Sequence, residues 1–178
     1  MSRQKAGIRL NDSDYYPTPL WCCENLEFPF EKFKTAHEPC RGDGRIVSFL
    51  EDKGMAVTST EITEGQDFFD WDDDTELIFT NPPFSLAQEF IEHSLEHAQC
   101  VVMLLRINFL GSKKRYGFWK KNPPQAMYVL SKRPSFTGKG TDATEYAWFV
   151  WQRKEFVKPG IYHVEPPDNS LKNKGSIQ

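Results

Sequence analysis

Apolar residues in this chain fall into short runs, with helix-spaced patterns between them. Thr35-Ala36-His37, Ala56-Val57-Thr58-Ser59-Thr60 and Leu77-Ile78-Phe79-Thr80 read as the first strands. Cys100-Val101-Val102-Met103-Leu104-Leu105 is apolar at every position, the mark of a strand covered on both faces. Ala126–Leu130 and Tyr146–Trp151 make two more strands, joined by a loop with Gly138, Gly140 and Asp142. Ile46, Val47, Phe49 and Leu50 have helical spacing behind the turn residues Gly42 and Gly44. Phe90, Ile91 and Leu95 line the inner side of a second helix, which Ser85 can cap and which ends near His97-Ala98. Strands alternating with amphipathic helices predict an α/β fold in three layers around a mostly parallel sheet.

The 178 residues predict one domain over 1–178, with a core at about 14–153 and a Pro- and Lys-rich tail over 154–178. The last ten residues are expected to be mobile. A hydrophobic share of 39% and an aromatic share of 14% exclude a disordered chain. No apolar run reaches membrane length, and Met1–Lys5 has no apolar signal core, so a cytoplasmic location is expected and a membrane partner is not. Cys22, Cys23, Cys40 and Cys100 show no C-x-x-C spacing and read as small apolar residues in a reducing compartment. His93 and His97 stand at i, i+4, but the sequence offers no third ligand. They are expected as solvated helix residues, and no metal is assigned.

Charge is segregated. The net value is only −3. Yet residues 54–76 hold eight acids and no Lys or Arg, while 106–139 hold nine bases and no Asp or Glu. The bases are Arg106, Lys113, Lys114, Arg115, Lys120, Lys121, Lys132, Arg133 and Lys139, interleaved with Phe109, Tyr116, Phe118, Trp119 and Phe136. That is the footprint of contact with a phosphate backbone, with aromatics available for stacking. Phe118 also suits the core.

Candidate chemistry sits at the ends of the strands. Asn81-Pro82-Pro83-Phe84 follows Leu77–Thr80. The Asn81 side-chain oxygen and the Pro82 carbonyl can accept hydrogen bonds from a conjugated NH2. Such bonds draw the nitrogen toward tetrahedral geometry and free its lone pair. Pro82 and Pro83 stiffen the loop, and Phe84 offers a flat face to a planar base. Upstream, Glu38-Pro39-Cys40-Arg41-Gly42-Asp43-Gly44 joins a strand to a helix. In that arrangement backbone N–H groups and a helix N-terminus meet a nucleotide-like ligand. Glu61 ends the second strand 17 residues after Gly44, and Asp67-Phe68 follows.

These segments resemble the motifs of S-adenosylmethionine (SAM)-dependent amino-methyltransferases. Glu38–Gly44 resembles motif I in its Glu-Pro-x-x-Gly-x-Gly form. Asp14-Tyr15-Tyr16-Pro17-Thr18-Pro19 resembles motif X, and Asn81–Phe84 the catalytic loop. Their order is similar to the gamma arrangement of DNA adenine-N6 methyltransferases, above all the short Dam-like enzymes of phages and prophages, over residues 14–152. The resemblance implies a seven-stranded Rossmann-like sheet with the last strand antiparallel and Asn81–Phe84 after the fourth strand. It implies SAM as cofactor, S-adenosylhomocysteine as product and no metal. Tyr16, Thr18, Glu38, Cys40, Gly42, Gly44, Glu61, Asp67 and Phe68 would hold SAM, with Glu61 on the ribose, Asp67 on the adenine amino group and Phe68 against its face. Asn81, Pro82, Pro83 and Phe84 would be catalytic. Arg106, Lys113, Lys114, Arg115, Lys120, Lys121, Arg133 and Lys139 would bind DNA, by a monomer or homodimer in the cytoplasm of a bacterial host.

The sequence departs from that family in one respect. Neither the stretch from Phe84 to Tyr146 nor the tail after Arg153 has room for a target-recognition domain, so relaxed or very short sequence specificity is expected, or else two subunits that share the substrate. Three other readings share many of these features: methylation of RNA adenine N6, methylation of a protein glutamine amide, and a SAM- or DNA-binding protein without catalysis.

Overall fold

Seven strands form one sheet in the order β2-β1-β3-β4-β6-β5-β7 in the computed structural model, which describes residues 17–136, 140 and 143–167. The strands are β1 (Thr35–Glu38), β2 (Ala56–Ser59), β3 (Thr75–Thr80), β4 (Ala98–Arg106), β5 (Ala126–Leu130), β6 (Tyr146–Gln152) and β7 (Gly160–Val164). β1 to β4 pair in parallel. β6 runs antiparallel to both β4 and β5, and β7 is parallel to β5. The α/β architecture and the mostly parallel seven-stranded sheet are those expected.

Burial on both faces explains why the central strands carry so little polar patterning. Val101 to Leu104 are 0% exposed. Leu77, Phe79, Cys100, Val102 and Leu104 pack with α1 (Trp21–Glu24) and α2 (Arg45–Asp52), through Cys22, Cys23, Ile46, Phe49 and Leu50. Ile78, Val101, Met103 and Leu105 face the other layer, where α3 (Ala87–His97) contributes Phe90 and Ile91 and α4 (Tyr116–Lys121) contributes Phe118. Phe79 stacks on Trp148 at 4.3 Å, and the Trp148 indole N–H donates to the Cys22 carbonyl, tying α1 to the sheet.

Three details differ from expectation. The resemblance puts Asn81–Phe84 after a fourth strand, but the stretch between β2 and β3 forms two 3-10 turns, Ile62–Glu64 and Phe68–Asp70, and no strand. It is dense in acids and lacks an alternating apolar run. Asn81–Phe84 therefore follows the third strand among the described residues. Second, the antiparallel strand, β6, is the last that the apolar runs predict, but the tail adds β7 outside β5. Third, α3 begins at Ala87 after a 3-10 turn over Phe84–Leu86, with Leu86 rather than Ser85 in the capping position. The mobility expected of the last ten residues concerns positions outside those described. No helix among the described residues is long and apolar enough to cross a membrane.

Candidate active site

Glu38 ends β1 wholly buried. One carboxyl oxygen accepts the Cys40 N–H at 2.8 Å and the Thr80 hydroxyl. The other, Oε2, is buried with no hydrogen-bond partner. Burial pushes the carboxyl up to about 8 from its ordinary 4.5, against the opposing pull of the bonds from Thr80 and Cys40. A buried acid with one unused oxygen at a strand end can accept a hydrogen bond from a cationic or donor-rich group.

The turn after Glu38 is glycine-dependent. Gly42 and Gly44 have φ of 53° and 81°, the left-handed region open to glycine. The Gly44 carbonyl accepts the first helical bond of α2, from the Ser48 N–H. Glu61 braces the turn. Its Oε2 accepts the Gly42 N–H at 2.8 Å, and its Oε1 accepts both the N–H and the hydroxyl of Thr63. Burial acts to raise the Glu61 carboxyl, but the N–H bonds from Thr63 and Gly42 outweigh it and hold the group below its ordinary value. Asp67 caps the next turn by accepting the Phe69 N–H at 3.0 Å.

Thr18 links this turn to the Asn81 loop. It is 3% exposed. Its carbonyl accepts from Arg45 Nη1 at 3.1 Å, and its hydroxyl accepts from Asn81 Nδ2 at 3.1 Å. In this arrangement the amide donates through Nδ2, and Oδ1 is its accepting atom. Asn81 follows directly on Thr80, whose hydroxyl is committed to Glu38. The strand ends of β1 and β3, the glycine turn and the segment at Thr18 thus form one connected unit.

Phe84 stands at the edge of an aromatic and cationic cluster. The Arg106 guanidinium lies 4.7 Å from the Phe84 ring centre, and Arg106 Nε donates to the Tyr146 hydroxyl at 2.9 Å. Tyr146 and Phe136 pack near Phe84 at 5.6 and 6.5 Å. Phe84, Arg106, Asn108, Phe109 and Arg115 line a pocket of about 130 Å3, in which Arg115 lies 4.2 Å over Phe109. The start of the basic segment therefore stands beside the Asn81 loop. Lys113 and Lys114 are exposed on the adjoining 3-10 turn.

Other expected site residues lie differently. Phe68 is 2% exposed and packs on His37, Trp71, Phe90 and His93, so its ring has no open face for an adenine. An apolar ring between α3 and the sheet gains more from burial than from the cleft, and Phe68 belongs to the core. Lys120 is exposed near the end of α4, and Lys121 lines a cleft with Leu95, Ala98 and Gln99 toward the amino end of β4, away from the Asn81 loop. Arg133 pairs with Glu145 on the surface. Tyr16 and Lys139, with Gly138 and Asp142 of the loop, lie outside the described residues. Thr80, Arg45 and Tyr146 were not singled out from sequence. A hydroxyl in the apolar run just before Asn81 is the signal for Thr80. Arg45 and Tyr146 are recognisable only from the fold.

No protein-family model and no curated protein matches the sequence. Solved structures do match in fold. A candidate RNA methyltransferase from Pyrococcus horikoshii superposes with a TM-score of 0.60 at 13% identity, over 77% of this chain and 85% of that one. A candidate class I SAM-dependent methyltransferase from Listeria monocytogenes gives 0.55 at 14% identity, over 85% of this chain and 65% of that one. The 23S rRNA methyltransferase ErmE gives 0.52 at 18% identity, over 78% and 67%. At these identities the likeness concerns architecture, and in architecture the chain has the fold of class I SAM-dependent methyltransferases.

Proposed function

We propose that this chain transfers a methyl group from SAM to the N6 nitrogen of adenine in DNA. The observation that carries the reading is the Asn81-Pro82-Pro83-Phe84 loop at the carboxyl end of β3, with its amide held by Thr18 and its strand end bonded to buried Glu38. Glu38 also supplies the test of cofactor fit. Its partnerless Oε2 suits the cationic amino group of SAM, a partner that would also ionise the carboxyl. Thr18, the turn around Gly42, Glu61 and Asp67 would hold the rest of the cofactor. SAM, when bound, supplies an electrophilic methyl group.

The protein's task is then to orient an amino nitrogen. Asn81 Oδ1 and the Pro82 carbonyl accept the two N6 hydrogens and localise the lone pair, and Phe84 packs on the base. The proton leaves after the methyl arrives, so no strong base is required. In a duplex the adenine must first leave the stack, at a cost of a few kcal/mol. Lys113, Lys114 and Arg115, beside the pocket at Phe84, supply the cationic surface that a strand requires. The stretch between Phe84 and Tyr146 is too short to hold an inserted recognition domain, which favours methylation over many adenine contexts.

A second reading, adenine N6 of RNA, gains support from two of the similar structures, which are described as RNA methyltransferases. One experiment separates the readings. The protein is incubated with labelled SAM and DNA, RNA or protein, and the digest is analysed by mass spectrometry. N6-methyladenine from DNA is the expected product. Label confined to RNA selects the second reading, and label in neither nucleic acid refutes both.

A further inference from the structure

The fold supplies what the spacing of His93 and His97 lacks. One ligand atom from each of His93, Glu96 and His97 lies within 4.8 Å of the others. Their i, i+3, i+4 spacing puts all three on one face of the last turns of α3. The two imidazole rings are 4.6 Å apart.

The histidines are also supported from outside. His93 Nε2 lies 2.9 Å from the Trp71 carbonyl oxygen. A carbonyl only accepts, so Nε2 carries a proton, and it is Nδ1 that has the lone pair in the neutral ring. A ring nitrogen bonded to a backbone carbonyl, with the other free to ligate, is the usual support of a metal-binding histidine. Asp74 adds a carboxylate 3.9 Å from His97 Nδ1.

We propose that His93, Glu96 and His97 bind one divalent transition-metal ion. Two imidazoles, a carboxylate and a fourth position open to water or Asp74 make a donor set suited to zinc. The site lies at the far end of α3 from the Asn81 loop, about 15 Å along the helix axis. Its role is structural. The stretch over 62–74 has no strand to hold it, and it leans on α3 through the His93–Trp71 bond and the Trp71–His97 ring contact at 5.6 Å. An ion there clamps the segment that carries Asp67 and follows Glu61.

The test uses the full chain without a histidine tag, stripped with a chelator and titrated with Zn2+ by calorimetry. Cobalt absorption reports the geometry. One ion per chain is expected, with Kd on the order of a micromolar or below, tetrahedral cobalt bands and a melting temperature raised by zinc. Glu96 is exposed, so Glu96→Gln tests a ligand without disturbing packing. It and His97→Ala should each weaken binding by roughly tenfold or more, and zinc should no longer raise the melting temperature of Glu96→Gln. His163→Ala, at an exposed position on β7, should bind as the parent does. Absence of saturable 1:1 binding, or Glu96→Gln binding zinc like the parent, overturns the site. So does an equal loss in His163→Ala.

Discussion

Replacing Glu38 by Gln should change how stability depends on pH, and the size follows from the site. The native carboxyl titrates near 8, and the unfolded one near 4.5. Between those values the folded protein holds a proton that the unfolded chain has released. Stability is therefore highest below 4.5 and is lost as pH rises through 8. At 1.36 kcal/mol per unit, the loss by pH 7 is about 3 kcal/mol. Gln keeps the shape and an oxygen for the Cys40 N–H and Thr80 hydroxyl, but does not titrate. His37 acts in the opposite sense: burial holds it near 4 instead of 6.5, so it destabilises the fold as pH falls through that window. Because both proteins contain His37, the difference between them isolates Glu38. Urea unfolding from pH 5 to pH 7 should show the variant gaining roughly 2–3 kcal/mol on the parent. A constant difference across that range would refute a buried, proton-holding Glu38. Saturating SAM should shrink the pH effect in the parent, by giving the carboxylate its partner.

Three further predictions concern the site. Asn81→Ala should lower methylation roughly a hundredfold or more while leaving SAM affinity nearly intact, because the lost acceptor serves the target nitrogen; turnover assays and calorimetry decide it. Glu61→Ala should weaken SAM binding by about 1–3 kcal/mol, through both the lost acceptor and a loosened Gly42 turn; unchanged affinity by calorimetry would remove Glu61 from the cofactor site. The triple change of Lys113, Lys114 and Arg115 to Ala should weaken DNA binding at moderate salt and flatten its salt dependence by roughly one unit of slope per lost phosphate contact. An unaltered slope in salt titrations would make the turn ordinary surface.

Much of the architecture is legible in the sequence because the strands are buried on both faces and so read as apolar runs. The run over 77–80 is β3, lengthened at its amino end, and that over 100–105 is β4, lengthened at both ends. What escaped has physical reasons. β7 alternates weakly and is mostly exposed, so Gly160–Val164 reads as tail. Phe68 beside Asp67 gave no sign that the core would claim its ring. The basic segment is continuous in sequence, but α4 carries Lys121 toward the far end of β4 while Arg106 and Arg115 stay beside Phe84. Glu38 was legible as a site residue, but its partnerless oxygen exists only once Thr80 and Cys40 have taken the other.

The pairing of β4 has a consequence for synthesis. Its second neighbour, β6, comes from the far side of the sequence, with Arg106 opposite Tyr146 and Cys100 opposite Gln152. As the chain leaves the ribosome, β1 to β4 can assemble first. At 5–20 residues per second, a few seconds then pass before residue 152 exists. Throughout that interval β4 presents an unpaired edge whose residues Val101 to Leu104 are among the most apolar of the chain. A nascent chain stalled near residue 135 should be a sticky one, recruited by holding chaperones and prone to strand addition with its own copies. The hairpin of β5 and β6 is thus also the stopper that ends this exposure.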